Sequence, residues 1–350
     1  MDCRHSSDRT APPRGALLLL VLWFAAVGLP GCTAPLGPLI ATAPNRMNPL
    51  VGEDNPLPPV ESLSGVDQHF WVPVGPPDAS LSVSVIDPDP EAGPPKGTIL
   101  VVHGIYARSF WMMRTAKQFS EAGYRAVLVD LRGHGRSSGK WLTYGIRESR
   151  DLSQVIDALE HRGLVSGRLG VYGISYGATT AIHLAGREPR IAATVAVAPF
   201  STMRDEVPHY IRTILPGAGT AVSDERYQEA IDEAGEVGHF DPDLASAVAA
   251  MRRTRAPVLI IHGTNDWVVP HWHSLRLRQA APDRTSLVLI PGFGHVIIWF
   301  DPTGQVATES RAWFDRYLAS PFGEGLPTQP PLGEGLPTQP RRRPQVSPAQ

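Results

Sequence analysis

Cysteine is nearly absent: Cys3 and Cys32 are the only two in 350 residues. Cys3 precedes an apolar run that reads as an export signal and leaves with it, so the mature chain holds no pair to bridge and a disulfide-stapled fold is excluded. Charge of one sign is equally scarce. The formal net charge is −2 and no folded stretch is strongly basic, which sets aside nucleic acid and acidic partners. A membrane-spanning run is missing too, because the apolar stretch ALLLLVLWFAAVGL at 16–29 is too short to cross a bilayer comfortably. What is present is 42% apolar content, enough for one large α/β domain, or two small ones, that folds on burial alone.

Arg9 and Arg14 ahead of the apolar run give it the form of a secretory h-region, so residues 1–31 are read as a signal peptide. The run closes on LPGC at 29–32, which resembles the signal of bacterial lipoproteins. That resemblance implies Cys32 as a lipid anchor on an exported chain, held at the periplasmic or outer-membrane face of the cell envelope. Pro30 departs from the lipoprotein pattern, and ordinary cleavage near Ala26–Gly28 stays open. Residues 32–65 carry a proline every few positions and no sustained period, and are read as a semi-extended linker. At the other end GEGLPTQP occurs twice, at 323–330 and 333–340, ahead of RRR, so 320–350 is read as a disordered Pro/Gly-rich tail.

Between linker and tail, residues 66–319 are regular. LSVSVID (81–87) alternates apolar and polar residues, and QHFWVPV (68–74) is its partner across the turn GPPDA. TILVVH (98–103), RAVLVD (125–130), RLGVYG (168–173), AATVAVA (192–198), PVLIIH (257–262) and SLVLIP (286–291) are short continuous apolar runs, as expected of parallel strands buried on both faces. Helical stretches at 109–123 and 148–163 lie between them. The order predicts a doubly wound, mostly parallel α/β sheet of eight strands. Residues 201–254 exceed what a crossover needs and predict a small helical cap, with helices near 222–235 and 242–254.

Ser175 sits in GISYG (173–177), where the run RLGVYG meets the helical stretch ATTAIHLAG. G-x-S-x-G on a strand-to-helix turn presents a serine on a strained corner, with glycines where side chains would strike neighbouring backbone. The free N–H groups of the following helix favour an oxyanion.

With VVHG (101–104), DLRGHGRSSG (130–139), HGTNDWVVP (262–270) and GFGH (292–295) in that order, the chain resembles the α/β-hydrolase family over about residues 66–318, in particular its esterase, lipase and serine-aminopeptidase-like members. The family delivers its triad as serine, acid, histidine. The resemblance therefore implies Ser175 as nucleophile, His295 as base and Asp266 as the acid that orients the imidazole, with Asp130 in reserve. It implies backbone donors to the oxyanion at Tyr176 and at Ile105, with Tyr106 an alternative to Ile105. His134 is read as architecture, and His271 and His273 as surface residues of the helix after Asp266. Trp111, Trp267 and Trp299 are read as core first, with Tyr106 and Trp267 the candidates for substrate contact.

These readings make the chain a serine hydrolase cleaving a carboxylic ester through an acyl-enzyme, with a small-molecule acyl substrate. No metal and no organic cofactor are implied. A peptidase or amidase, an acyltransferase of the same fold and a non-catalytic envelope lipoprotein remain the alternatives.

Overall fold

The computed structural model describes residues 36–47 and 65–319. The segment read as a signal peptide, Cys32 and the repeated tail lie outside the described residues. Eight strands form one sheet: β1 Gln68–Val74, β2 Ala79–Ile86, β3 Gly97–Val102, β4 Arg125–Val129, β5 Arg168–Ile174, β6 Ile191–Val197, β7 Val258–Gly263 and β8 Thr285–Ile290. Their order is β1-β2-β4-β3-β5-β6-β7-β8. β2 runs antiparallel to β1 and β4, and every other pairing is parallel.

The continuous apolar runs follow from burial on both faces. In β3, Leu100 and Val102 enter one core cluster while Ile99 and Val101 enter the other, and Val127 and Val129 oppose Ala126 and Leu128 in β4 in the same way. A side-chain period of two thus places apolar residues on each side of the sheet, and helices cover both. After the short helices α1 Gly37–Ala41 and α2 Pro44–Met47, these are α3 Met113–Glu121, α4 Ile146–His161, α5 Tyr176–Ala185, α6 Met203–Ile214, α7 Asp224–Gly238, α8 Ala247–Arg253, α9 Trp272–Ala280, α10 His295–Phe300 and α11 Gln305–Phe314.

From β3 the chain goes outward to β4 and then back across to β5. That reversal opens a crevice at the carboxyl ends of β3 and β5, where open α/β sheets bind ligands.

Two segments differ from the sequence expectation. Helix α6 precedes the two helices expected between β6 and β7, and it contains Pro208. Proline removes the N–H that the Arg204 carbonyl would take within a helix, and Gln228 Nε2 donates to that carbonyl instead at 3.3 Å. The second difference lies in the segment read as linker, of which 36–47 is docked. Leu36, Ile40, Ala41 and Ala43 are buried, Gly37 N donates to Glu233 Oε2 at 3.0 Å, and Leu142 N donates to Ala41 O at 2.7 Å. The contacts are made by a few apolar residues hemmed between Pro35, Pro38 and Pro44, a stretch too short to show a period.

Candidate active site

Ser175 ends β5 and caps α5 with φ 55° and ψ −119°. A non-glycine residue there costs of order 1–3 kcal/mol and persists only where its surroundings enforce it. The flanking glycines show what enforces it. A Cβ on Gly173 would lie 2.2 Å from Gly177 O, and one on Gly177 would lie 2.4 Å from His103 O. Only glycine lets the strand, the elbow and the loop after β3 approach this closely.

The other two side chains arrive from neighbouring loops at the same edge. The loop after β7 carries Asp266 and the loop after β8 carries His295, and the two loops are joined by Asn265 N donating to Phe293 O at 3.0 Å. His295 Nε2 lies 3.0 Å from Ser175 Oγ, and His295 Nδ1 lies 2.7 Å from Asp266 Oδ2. Asp266 Oδ1 accepts the backbone N–H groups of Val268 at 3.0 Å and Val269 at 2.9 Å. Those bonds to a main chain that can only donate fix the carboxylate and leave Oδ2 for the imidazole.

Burial works against the Asp266 charge, but hydrogen bonds from His262 and His295 and the charge of both rings outweigh it, so the carboxyl is held well below the ordinary range. The series hydroxyl, imidazole, carboxylate can move a proton off Ser175 and hold the resulting imidazolium.

The serine opens on a cavity of about 370 Å³ whose lining is mostly apolar. Ile105 and Tyr176 line it beside Ser175 and His295. The backbone N–H groups of Ile105 and Tyr176 take no acceptor from the described residues. Both are therefore unspent donors at the serine. Among the described residues no group of three His, Cys, Asp or Glu side chains is arranged to hold a metal ion.

A family profile described as X-Pro dipeptidyl-peptidase (S15 family) matches residues 78–230. A Bacillus subtilis protein without an assigned function is 26% identical over 210 residues, spanning 57% of this chain and 65% of that one. The monoacylglycerol lipase of Mycolicibacterium smegmatis is 25% identical over 288 residues, spanning 72% of this chain and 98% of the lipase. A solved esterase structure from Pyrococcus furiosus superposes with a TM-score of 0.55 at 20% identity, covering 72% of this chain and 92% of the esterase. The chain has the α/β-hydrolase fold. The lipase relative and the peptidase profile support a serine hydrolase.

Within this fold the structure places the sequence-predicted residues at two locations. Ser175, Asp266 and His295 meet in series, and Ile105, Tyr176 and Tyr106 border the cavity. Asp130, the reserve acid, lies elsewhere: it is buried and accepts from Ser109 N at 2.6 Å and Arg136 N at 2.9 Å. His134 is buried against His103, whose Nε2 accepts from Leu131 N at 3.0 Å.

Three expectations are corrected. Trp267 does not line the cavity; its side chain is 65% exposed, and its carbonyl meets His209 Nε2 at 2.9 Å. Trp111 is no core residue either, being 61% exposed at the cavity. His273 is not on the surface but fully buried against Ser201 and Glu206. A helix carries any residue inward once per turn, and the short stretch after Asp266 gives no phase from which to tell. Sequence reading missed Leu39, Ile40, Glu206 and Tyr210, all of which line the cavity; they come from a proline-interrupted helix and from the segment taken for linker.

Proposed function

We propose that this hydrolase cleaves carboxylic esters through an acyl-enzyme on Ser175. The observation that supports it is the unbroken series from Ser175 Oγ through His295 to Asp266, at 3.0 and 2.7 Å, facing an apolar cavity. In this reading His295 Nε2 takes the hydroxyl proton as Oγ forms a bond to the acyl carbon, and the carbonyl electrons move onto oxygen. The N–H groups of Tyr176 and Ile105 hold that oxyanion, each such donor contributing about 2.7–4 kcal/mol to the transition state. When the tetrahedral intermediate collapses, the bond to the alcohol breaks and His295 returns the proton to the departing oxygen. Water, deprotonated by the same imidazole, then releases the acid.

The apolar lining supports an aliphatic or aromatic acyl group. The match to the dipeptidyl-peptidase profile over 78–230 favours amide cleavage as the second reading. Purified protein incubated with a fluorophosphonate probe, then with p-nitrophenyl esters of graded chain length beside aminoacyl p-nitroanilides, separates them. Labelling that Ser175→Ala abolishes, with turnover of esters over anilides, is the expected result. Label independent of Ser175 overturns the reading.

We further propose export and lipid anchoring at Cys32, supported by the h-region and LPGC at 16–32. Cys32→Ser releases the protein from membranes if this holds; unchanged retention refutes it.

A further inference from the structure

The mechanism leaves one buried acid unused. Glu206, near the start of α6, is 5% exposed and, among the described residues, is the only carboxyl lining the cavity that holds Ser175. Its Oε2 lies 3.0 Å from His273 Nε2. The state of that ring follows from its other side. Ser201 N, which can only donate, points at Nδ1 from 3.1 Å, so the ring hydrogen sits on Nε2, on the side of the carboxyl. The contact is close but poorly aligned, and neither atom has a better partner. The second oxygen, Oε1, receives no donor from the described residues.

A carboxyl in such a place is costly unless something satisfies it. Burial first, then the charges of Asp266 and Asp205, push the Glu206 carboxyl well above its ordinary range. Holding α6 to α9 does not account for it, because the neighbouring Asp205 already ties the two helices through Arg276. The cavity it lines is walled by Val207, Ile211, Phe200 and Val269 together with the phenols of Tyr106, Tyr144 and Tyr210. A purely hydrocarbon substrate would seal the carboxyl away from water with nothing to bond, whereas a substrate bearing one donor would complete it.

We propose that Glu206 is a specificity residue that reads a hydroxyl or primary ammonium donor carried by an otherwise apolar ester, away from the scissile bond. The proposal rests on the ester hydrolase reading above and names its substrate class: amphiphilic esters with a hydrocarbon stretch and one donor group. A plain acyl ester fills the apolar walls but leaves Oε1 unpartnered.

The test uses two matched ester series, one varied on the acyl side (p-nitrophenyl octanoate, 8-hydroxyoctanoate and 8-aminooctanoate) and one on the alcohol side (hexyl, 6-hydroxyhexyl and 6-aminohexyl hexanoate). The readout is the ratio of kcat/KM for the donor-bearing ester to that for its methyl-terminated counterpart. The wild type is expected to favour a donor by at least about tenfold in one series. Glu206→Met is expected to bring that ratio to about one, since a thioether neither pairs with an ammonium nor bonds a hydroxyl strongly. Glu206→Gln separates the two donors: it keeps preference for the hydroxyl, which an amide can bond, and loses preference for the ammonium, which needs the charge. Thermal melts of each variant report the loss of packing, which lowers turnover of all esters together and leaves the ratio unmoved. Equal ratios in wild type and Glu206→Met, or no preference in either series, overturn the proposal while leaving the role of Ser175 intact. Absence of any Ser175-dependent ester turnover overturns both.

Discussion

The phenol of Tyr176 donates to Glu148 Oε1 at 2.8 Å and accepts the N–H of Tyr144 at 3.0 Å, all in the fully buried space behind Ser175. Glu148 is otherwise saturated, taking Thr143 Oγ1 at 2.7 Å and Gly145 N at 3.0 Å on its second oxygen. The residue that follows Ser175 is thus moored by its own side chain to the start of α4. Tyr176→Phe removes that mooring and leaves Glu148 short of a donor. It should lower stability by about 1–3 kcal/mol and reduce kcat for esters more than it raises KM. Urea unfolding and steady-state kinetics check both; a variant indistinguishable from wild type in the two assays would show that the network is idle.

Asp266→Asn keeps the side-chain shape but replaces an oxygen that accepts from His295 Nδ1 at 2.7 Å. An amide can present its NH₂ there, which stabilises the tautomer whose hydrogen sits on Nε2 and so blocks proton removal from Ser175. A fall in kcat of about 10⁴-fold with an unchanged circular dichroism spectrum is expected. Near-normal turnover would assign the acid role elsewhere.

Acid should unfold the protein well before carboxylates titrate in numbers. Burial pushes His103 down to about 4, and His134 and His183 down to about 3. For His134 the nearby His103 adds to burial, and for His183 Arg253 and Arg187 do. The unfolded chain binds these protons near pH 6.5, the folded chain only lower, so stability is complete above 6.5 and is lost as pH falls toward 4. Each ring contributes a slope of up to about 1.4 kcal/mol per pH unit over that window. Denaturation midpoints measured from pH 7.5 to 4 should drop steeply below 6.5; a flat profile refutes the burial argument.

Gly37→Val probes the docked segment. A Cβ at 37 would lie 2.4 Å from Glu233 Cβ and 2.6 Å from Ala234 N in α7. The clash should lift residues 36–41, and with them the Leu39 and Ile40 part of the cavity wall. Expected are a loss of about 1–3 kcal/mol, new protease cleavage around 36–47, and a raised KM that grows with acyl chain length. Wild-type proteolysis and KM would mean that the wall holds without this contact.

The sheet was legible because burial on two faces leaves an unbroken apolar core such as ILVV (99–102), and the antiparallel edge because LSVSVID alternates, although its serines Ser82 and Ser84 are buried and not solvated. Ser175, Asp266 and His295 were legible because a strand end followed by a short loop delivers its residues to one edge of a parallel sheet. The cavity lining was not. Glu206 stands two residues before Pro208, which reads as a stop until Gln228 is seen serving the orphaned carbonyl. Ile40 enters the core from a five-residue helix, too short for its apolar positions to declare a face. Trp267 adjoins Asp266, yet adjacent side chains diverge in a tight turn, so nearness in sequence carried no information about the pocket.

The cavity is walled by Leu39 and Ile40 near the beginning of the chain and by Val296, Trp299 and Phe300 near its end. A chamber walled by segments so far apart in sequence cannot exist in a nascent polypeptide until the later segment has left the ribosome. The space in front of Ser175 comes into being only once residues 296–300 can fold back onto 39–40, so the serine has no finished pocket before then.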